Sequence, residues 1–106
     1  MNLLLGRAAD PLSSGQLLSA ATQKERLNWV ICAPVWLGKL RCYGLGVEDF
    51  GGFLGHNGSI AGFQSWMGYQ PQNGATIIVL VNLEVAADGS NPADDLGKVI
   101  QQEFFA

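Results

Sequence analysis

The sequence predicts an α+β fold: an antiparallel sheet of about three to four strands, preceded by a helical segment and closed by a C-terminal helix that packs on the sheet. Three observations carry this. From Tyr43 onward, short runs of strand-forming residues are punctuated by glycine and by the pair Asn73-Gly74. The run "ATIIVLVNL" is apolar without a break, and the stretch from Asn91 joins helix-start residues to apolar residues at helical spacing. At 106 residues the chain suits one small domain, 1–106, with a single core. Hydrophobic residues make up 48% and charged residues 14%, so part of the apolar surface is expected to find no interior to enter.

The N-terminal "MNLLLGRAADPLSSGQLLSAATQKERLNWV" reads as helical material broken at Asp10-Pro11 and at Ser13-Ser14-Gly15, where proline and small polar residues favour turns. A helix restarts near Ser19, an N-cap candidate. Thr22 with Glu25 also fits a capping box, and the helix runs to about Val30. "ICAPVWLGKLRC" carries a proline and no clear period, and reads as an irregular connection with apolar anchors such as Trp36. "YGLGVED" is then a strand, Phe50-Gly51-Gly52 turns the chain back, and "FLGHNG" is the return. "SIAGFQSWMGY" reads as one long strand with glycine bends, followed by a type I′ hairpin at Asn73-Gly74. The absence of alternation in "ATIIVLVNL" predicts a central strand buried on both faces. In the last helix Asn91 is the N-cap and Pro92 the first helical residue, with Asp94 and Asp95 complementing the helix dipole. Leu96, Val99, Ile100 and Phe104 are expected to face the sheet.

Composition removes several function classes. The net charge of −3 is spread over nine acidic and six basic residues with no basic cluster, which argues against a nucleic-acid footprint. No stretch approaches the ~20 apolar residues of a membrane span, and "MNLLL" is shorter than the apolar core of a signal peptide, so the chain reads as soluble and cytoplasmic by default. Cys32 and Cys42 match no zinc spacing, and one histidine cannot complete such a site; no metal or cofactor is implied. The two cysteines are either buried free thiols, which cysteine's preference for interiors favours, or a disulfide.

The chain's only histidine lies in "GHNGSIAGF". Taken alone, a histidine beside Asn-Gly fits a hydrogen-bonded turn residue as well as a catalytic one. The succession "YGLGV", "GHNGSIAGF", "YQPQNGATIIVLVN" and a terminal amphipathic helix resembles the C-terminal part of the serine β-lactamase-like family, which includes class C β-lactamases, D-alanyl-D-alanine carboxypeptidases and esterases. "LLSAATQKERL" is similar to the helix before this region, so the resemblance spans nearly the whole chain. It implies a partial β-lactamase-like fold in which His56, Asn57 and Gly58 occupy the Lys-Thr-Gly or His-Thr-Gly triplet of the active-site strand, with asparagine in place of threonine. On that reading His56 supplies a cation or donor near the nucleophile, and Asn57 hydrogen-bonds a substrate carboxylate. Gly58 gives room for an extended substrate, and the Ser59 N–H is one oxyanion-hole donor.

The nucleophile itself is missing from these residues. Lys24, Lys39 and Lys98 follow Ala21, Trp36 and Asp95 by three places, so no Ser-x-x-Lys motif exists. Neither Tyr43, with Leu45 two places on, nor Tyr69, with Pro71, forms the Tyr-x-Asn motif. A Ser-His-Asp set drawn from Ser59 or Ser65 lacks a nucleophile elbow, and the glycines from Gly44 to Gly52 form no phosphate loop. Trp29, Trp36 and Trp66 suit core or interface anchors, and Asp94-Asp95 suits helix-end electrostatics. Two functions follow. The chain is either a hydrolase fragment that offers one active-site strand and acts on a peptide, β-lactam or ester only when completed, or a non-catalytic binding or oligomerisation module. For these residues alone the second is favoured. By resemblance, strands of a missing N-terminal half join the sheet beside the last strand, so the strand around Ile77–Val81 is expected to pair with that half or with another copy.

Overall fold

The structure is a computed structural model, and it describes residues 15–105. The breaks expected at Asp10-Pro11 and Ser13-Ser14 lie outside the described residues. Helix α1 (Ala20–Arg26) is followed by β1 (Ile31–Trp36), β2 (Lys39–Tyr43), β3 (Glu48–Phe50), β4 (Phe53–Ile60), β5 (Phe63–Gln70), β6 (Ala75–Val81) and helix α2 (Pro92–Phe105). The strands form one antiparallel sheet whose spatial order is their order in the chain. The α+β class and the C-terminal helix on the sheet are as the sequence predicts, while the sheet has six described strands rather than three to four.

The two extra strands, β1 and β2, have one origin. "ICAPVWLGKLRC" is a hairpin, not an irregular connection: Trp36 opposes Lys39 across a two-residue turn in which Leu37 and Gly38 both have positive φ, 50° and 77°. Leucine in that conformation hides the turn from a search for Asn-Gly or Gly-Gly pairs. The register also shifts between Cys32 and Val35, the span that contains Pro34, as suits an edge strand. Two other readings change without adding a strand. "SIAGFQSWMGY" is divided at Ala61-Gly62 between the end of β4 and all but the last residue of β5. "YGLGVED" is not one strand but a turn, in which the Gly44 N–H donates to the Val47 carbonyl at 2.8 Å, leading into β3. The turn at Asn73-Gly74 is a four-residue loop rather than a two-residue one. Gln70 opposes Ala75, only Gly74 has positive φ, and Asn73 Oδ1 accepts from the Ala75 N–H at 2.9 Å.

The core lies between one face of the sheet and α2. Trp36 and Trp66 stack at 5.7 Å and 9°, with Phe50, Phe53, Ile77, Val79 and Ala93 around them. Helix α2 starts as expected, with Asn91 Oδ1 accepting from the Asp94 N–H at 3.0 Å. Its buried face differs from the expected one. Ala93, Asp94, Gly97 and Gln101 are buried and, of the expected four, Ile100 packs against the core, while Leu96, Val99 and Phe104 are 47%, 51% and 77% exposed. The stacked tryptophans set this rotation. A Cβ on Gly97 would lie 2.9 Å from Trp66 Cδ2, so the helix approaches with its small residues inward. Gln101 there accepts from Trp36 Nε1 at 2.5 Å and donates to the Phe50 carbonyl at 3.0 Å, satisfying two buried groups.

Ser19 caps α1 by accepting from the Thr22 N–H at 3.2 Å, although the helix ends at Arg26, short of Val30. Cys32 and Cys42 are directly opposed across β1 and β2 and form a disulfide, so the free-thiol reading is corrected. Strand β6 alternates in burial, with Ile77 and Val79 inside and Thr76 and Leu80 exposed. Among the described residues it pairs with β5 alone, so it is an edge strand with one covered face and not a central strand buried on both.

Candidate functional site

The four residues singled out in the sequence are consecutive on β4, where strand alternation divides them. Asn57 and Ser59 share the face of Phe53, toward α2, and His56 and Gly58 share the opposite face. What unites them is the strand's backbone edge. Strand β5 pairs with β4 from Leu54 to Ile60, but β3 reaches only from Phe53 to Gly55. Among the described residues, the edge of β4 from His56 to Ile60 that faces away from β5 therefore has no strand partner.

Each side chain has a definite environment. His56 Nδ1 donates to the Asn57 carbonyl oxygen, and Nε2 lies 3.0 Å from the Tyr43 hydroxyl, with the two rings edge-on at 5.6 Å. Asn57 Nδ2 donates to both carboxylate oxygens of Asp94, at 3.2 and 3.3 Å. The donor expected to meet a substrate carboxylate is thus turned toward a carboxylate of the chain itself. Ser59 Oγ accepts from Gln64 Nε2 at 3.2 Å, and the room left by Gly58 is bounded by Ser65 Oγ, 2.8 Å from where a Cβ would stand.

Behind Asn57 lies a small ionic group. Arg41 Nε donates to Glu48 Oε2 at 2.5 Å, and the guanidinium sits 4.9 Å from the Phe50 ring centroid. The hydrogen bond that Arg41 donates to Glu48 raises the Arg41 pKa above its ordinary value. Burial pushes the Asp94 carboxyl above the ordinary carboxylate value, against the lowering effects of the Asn57 hydrogen bond and of Arg41 and Lys98. Tyr43 and Asp94 are the partners that sequence reasoning missed, being 13 and 37 residues from the groups they bind.

At the far end of β4 a groove of about 570 Å³ is lined by Gly58, Ile60, Phe63, Gln64, Leu80 and Val81, among others. Gln64 is 8% exposed, and its Oε1 has no hydrogen-bond partner among the described residues. No three His, Cys, Asp or Glu residues among those described could together hold a metal ion, and no described helix is long and apolar enough to cross a membrane. Comparison of the chain with protein-family models, with curated proteins and with solved structures finds no match.

Proposed function

We propose that these residues form the sheet portion of a serine hydrolase of the β-lactamase, D-alanyl-D-alanine carboxypeptidase or esterase kind, in which β4 is one wall of a cleft and the nucleophile comes from another segment. The observation that carries the reading is the unpaired edge of β4 at His56, Asn57, Gly58 and Ser59, the residues that resemble the family's active-site triplet and its successor. An extended acyl substrate can lie along such an edge and hydrogen-bond to its backbone. Acylation needs an activated hydroxyl, and these residues contain no Ser-x-x-Lys pair. The chain alone is therefore expected to bind without reacting. An acylated D-alanyl-D-alanine peptide should shift the amide resonances of residues 56–60, and a fluorescent penicillin or a nitrophenyl ester should give neither label nor burst. A covalent adduct, or peptide binding that leaves β4 untouched, would overturn the reading.

A second reading is favoured by β6. Its outer edge is unpaired among the described residues, and the strand "ATIIVLV" has no charge to discourage pairing. As a module, the chain would associate with another copy through Ile77–Val81. Sedimentation at increasing dilution checks this: a compact monomer at all concentrations would rule it out.

A further inference from the structure

Tyr43 ends β2, and among the described residues its hydroxyl is the only side-chain group hydrogen-bonded to His56 Nε2. The tautomer of the neutral ring follows from the other nitrogen. Nδ1 faces the carbonyl oxygen of Asn57, which can only accept, so Nδ1 carries the proton and Nε2 is left with its lone pair. Tyr43 is then the donor. Without that donor the bond from Nδ1 to the Asn57 carbonyl still sets the tautomer, but Nε2 loses its partner and the ring is held at one nitrogen instead of two.

We infer that Tyr43 is a positioning residue for His56, and that the Cys32–Cys42 disulfide braces Tyr43, so that the redox state of the disulfide governs the order of the histidine ring. Cys42 immediately precedes Tyr43, Cys32 opposes Cys42, Ile31 opposes Tyr43, and the Val30 N–H donates to the Tyr43 carbonyl at 2.8 Å. Among the described residues, this half of β1 is otherwise held by backbone hydrogen bonds to β2. Ile31, Cys32 and Ala33 are exposed on the sheet's edge, and Trp36, the one buried side chain among those described in β1, lies beyond the register shift. With the disulfide open, residues 31–33 keep only backbone hydrogen bonds on a solvated edge, the kind of segment that opens locally.

The chemistry needs a dithiol reductant. Its thiolate attacks Sγ of Cys32, the exposed partner, the S–S bond breaks, and the electron pair leaves on Sγ of Cys42, which takes a proton. The second thiol then resolves the mixed disulfide, releasing Cys32 as a thiol and leaving the reagent as a cyclic disulfide, so two electrons and two protons pass to the protein.

The inference draws its functional meaning from the reading of β4 as an active-site strand, but its test uses no substrate, so the two can fail separately. His56 is the only histidine, and the ring's ¹⁵N spectrum is therefore a single set of signals. Above the range where imidazole is charged, the oxidised protein should show Nε2 as the bare nitrogen. Tyr43→Phe keeps the aromatic ring and removes the hydroxyl, and should move the Nε2 signal toward that of a bare nitrogen that accepts no hydrogen bond while the amides of β5 and β6 stay in place. Dithiothreitol should produce the same change, with faster hydrogen exchange at Val30 and Ile31, and reoxidation should reverse it. A protonated Nε2 in the oxidised protein, or ring signals unmoved by Tyr43→Phe, would overturn the positioning role. Unmoved ring signals in protein whose mass shows the gain of two hydrogens would overturn the brace.

Discussion

Gln101 shows how much rests on one polar side chain in an apolar core. Its amide joins the Trp36 indole N–H to the Phe50 carbonyl, and both would lose their partner in Gln101→Leu. Each buried group left unpaired costs about 1–3 kcal/mol, so the variant should unfold at distinctly lower denaturant, followed by tryptophan fluorescence. Asp94 acts in the opposite sense. Its carboxyl is raised above the ordinary value of 3.8, chiefly by burial, so the folded state binds its proton more tightly than the unfolded state. The stability this lends is full below the ordinary value and is lost as pH rises through the raised one. Asp94→Asn should flatten that loss in unfolding curves measured across the acid range, because an amide keeps an acceptor for Asn57 without a buried charge. Such pairs are not legible in one sequence. The Ser19 and Asn91 caps are, since cap and N–H lie three residues apart, whereas Asn57 and Asp94 meet only when the helix is laid on the sheet.

Among the elements, α2 departs most instructively from its pattern. Apolar spacing points to Leu96 and Val99, yet contact with two stacked indoles requires the side bearing Ala93 and Gly97. Shape at the contact outweighs hydrophobicity along the helix. Gly97→Ala should therefore destabilise the fold: an overpacked methyl costs about 1–3 kcal/mol, more than the roughly 1 kcal/mol gained in helix propensity. Thermal unfolding by circular dichroism would show a lowered midpoint with unchanged helix content. The strands were legible where glycine marks the turn, as at Gly51-Gly52. They were not where Leu37 takes a left-handed conformation or where exposed β1 side chains follow no burial pattern. Half of the candidate site was legible for the same reason: His56 to Ser59 form a contiguous motif, but their division between two faces and the short reach of β3 are properties of the assembled sheet.

Across the whole molecule, one face of the sheet is covered by α2 while Val35, Leu40, Ile60, Phe63 and Leu80 stay exposed. The low charged fraction noted in the sequence finds its counterpart in these side chains. Leu80, 44% exposed on β6, separates the two functional readings. Leu80→Lys places a charge on the edge strand and should raise the concentration needed for self-association at least about tenfold, equivalent to 1.4 kcal/mol, with little effect on unfolding of the monomer. Analytical ultracentrifugation measures the first and chemical denaturation the second. Unchanged association would shift the interface away from β6.

Because spatial order repeats chain order, every described strand after β1 finds a neighbour in the strand synthesised just before it. Hairpins can zip as the polypeptide emerges, without waiting for distant partners. The lid over the two indoles comes last, and its final turn is held where Phe105 meets Phe53 at 5.3 Å. The sheet thus carries its apolar core face uncovered until α2 has been made, and a premature stop codon between Val81 and Pro92 yields a product suited to aggregation or to a chaperone.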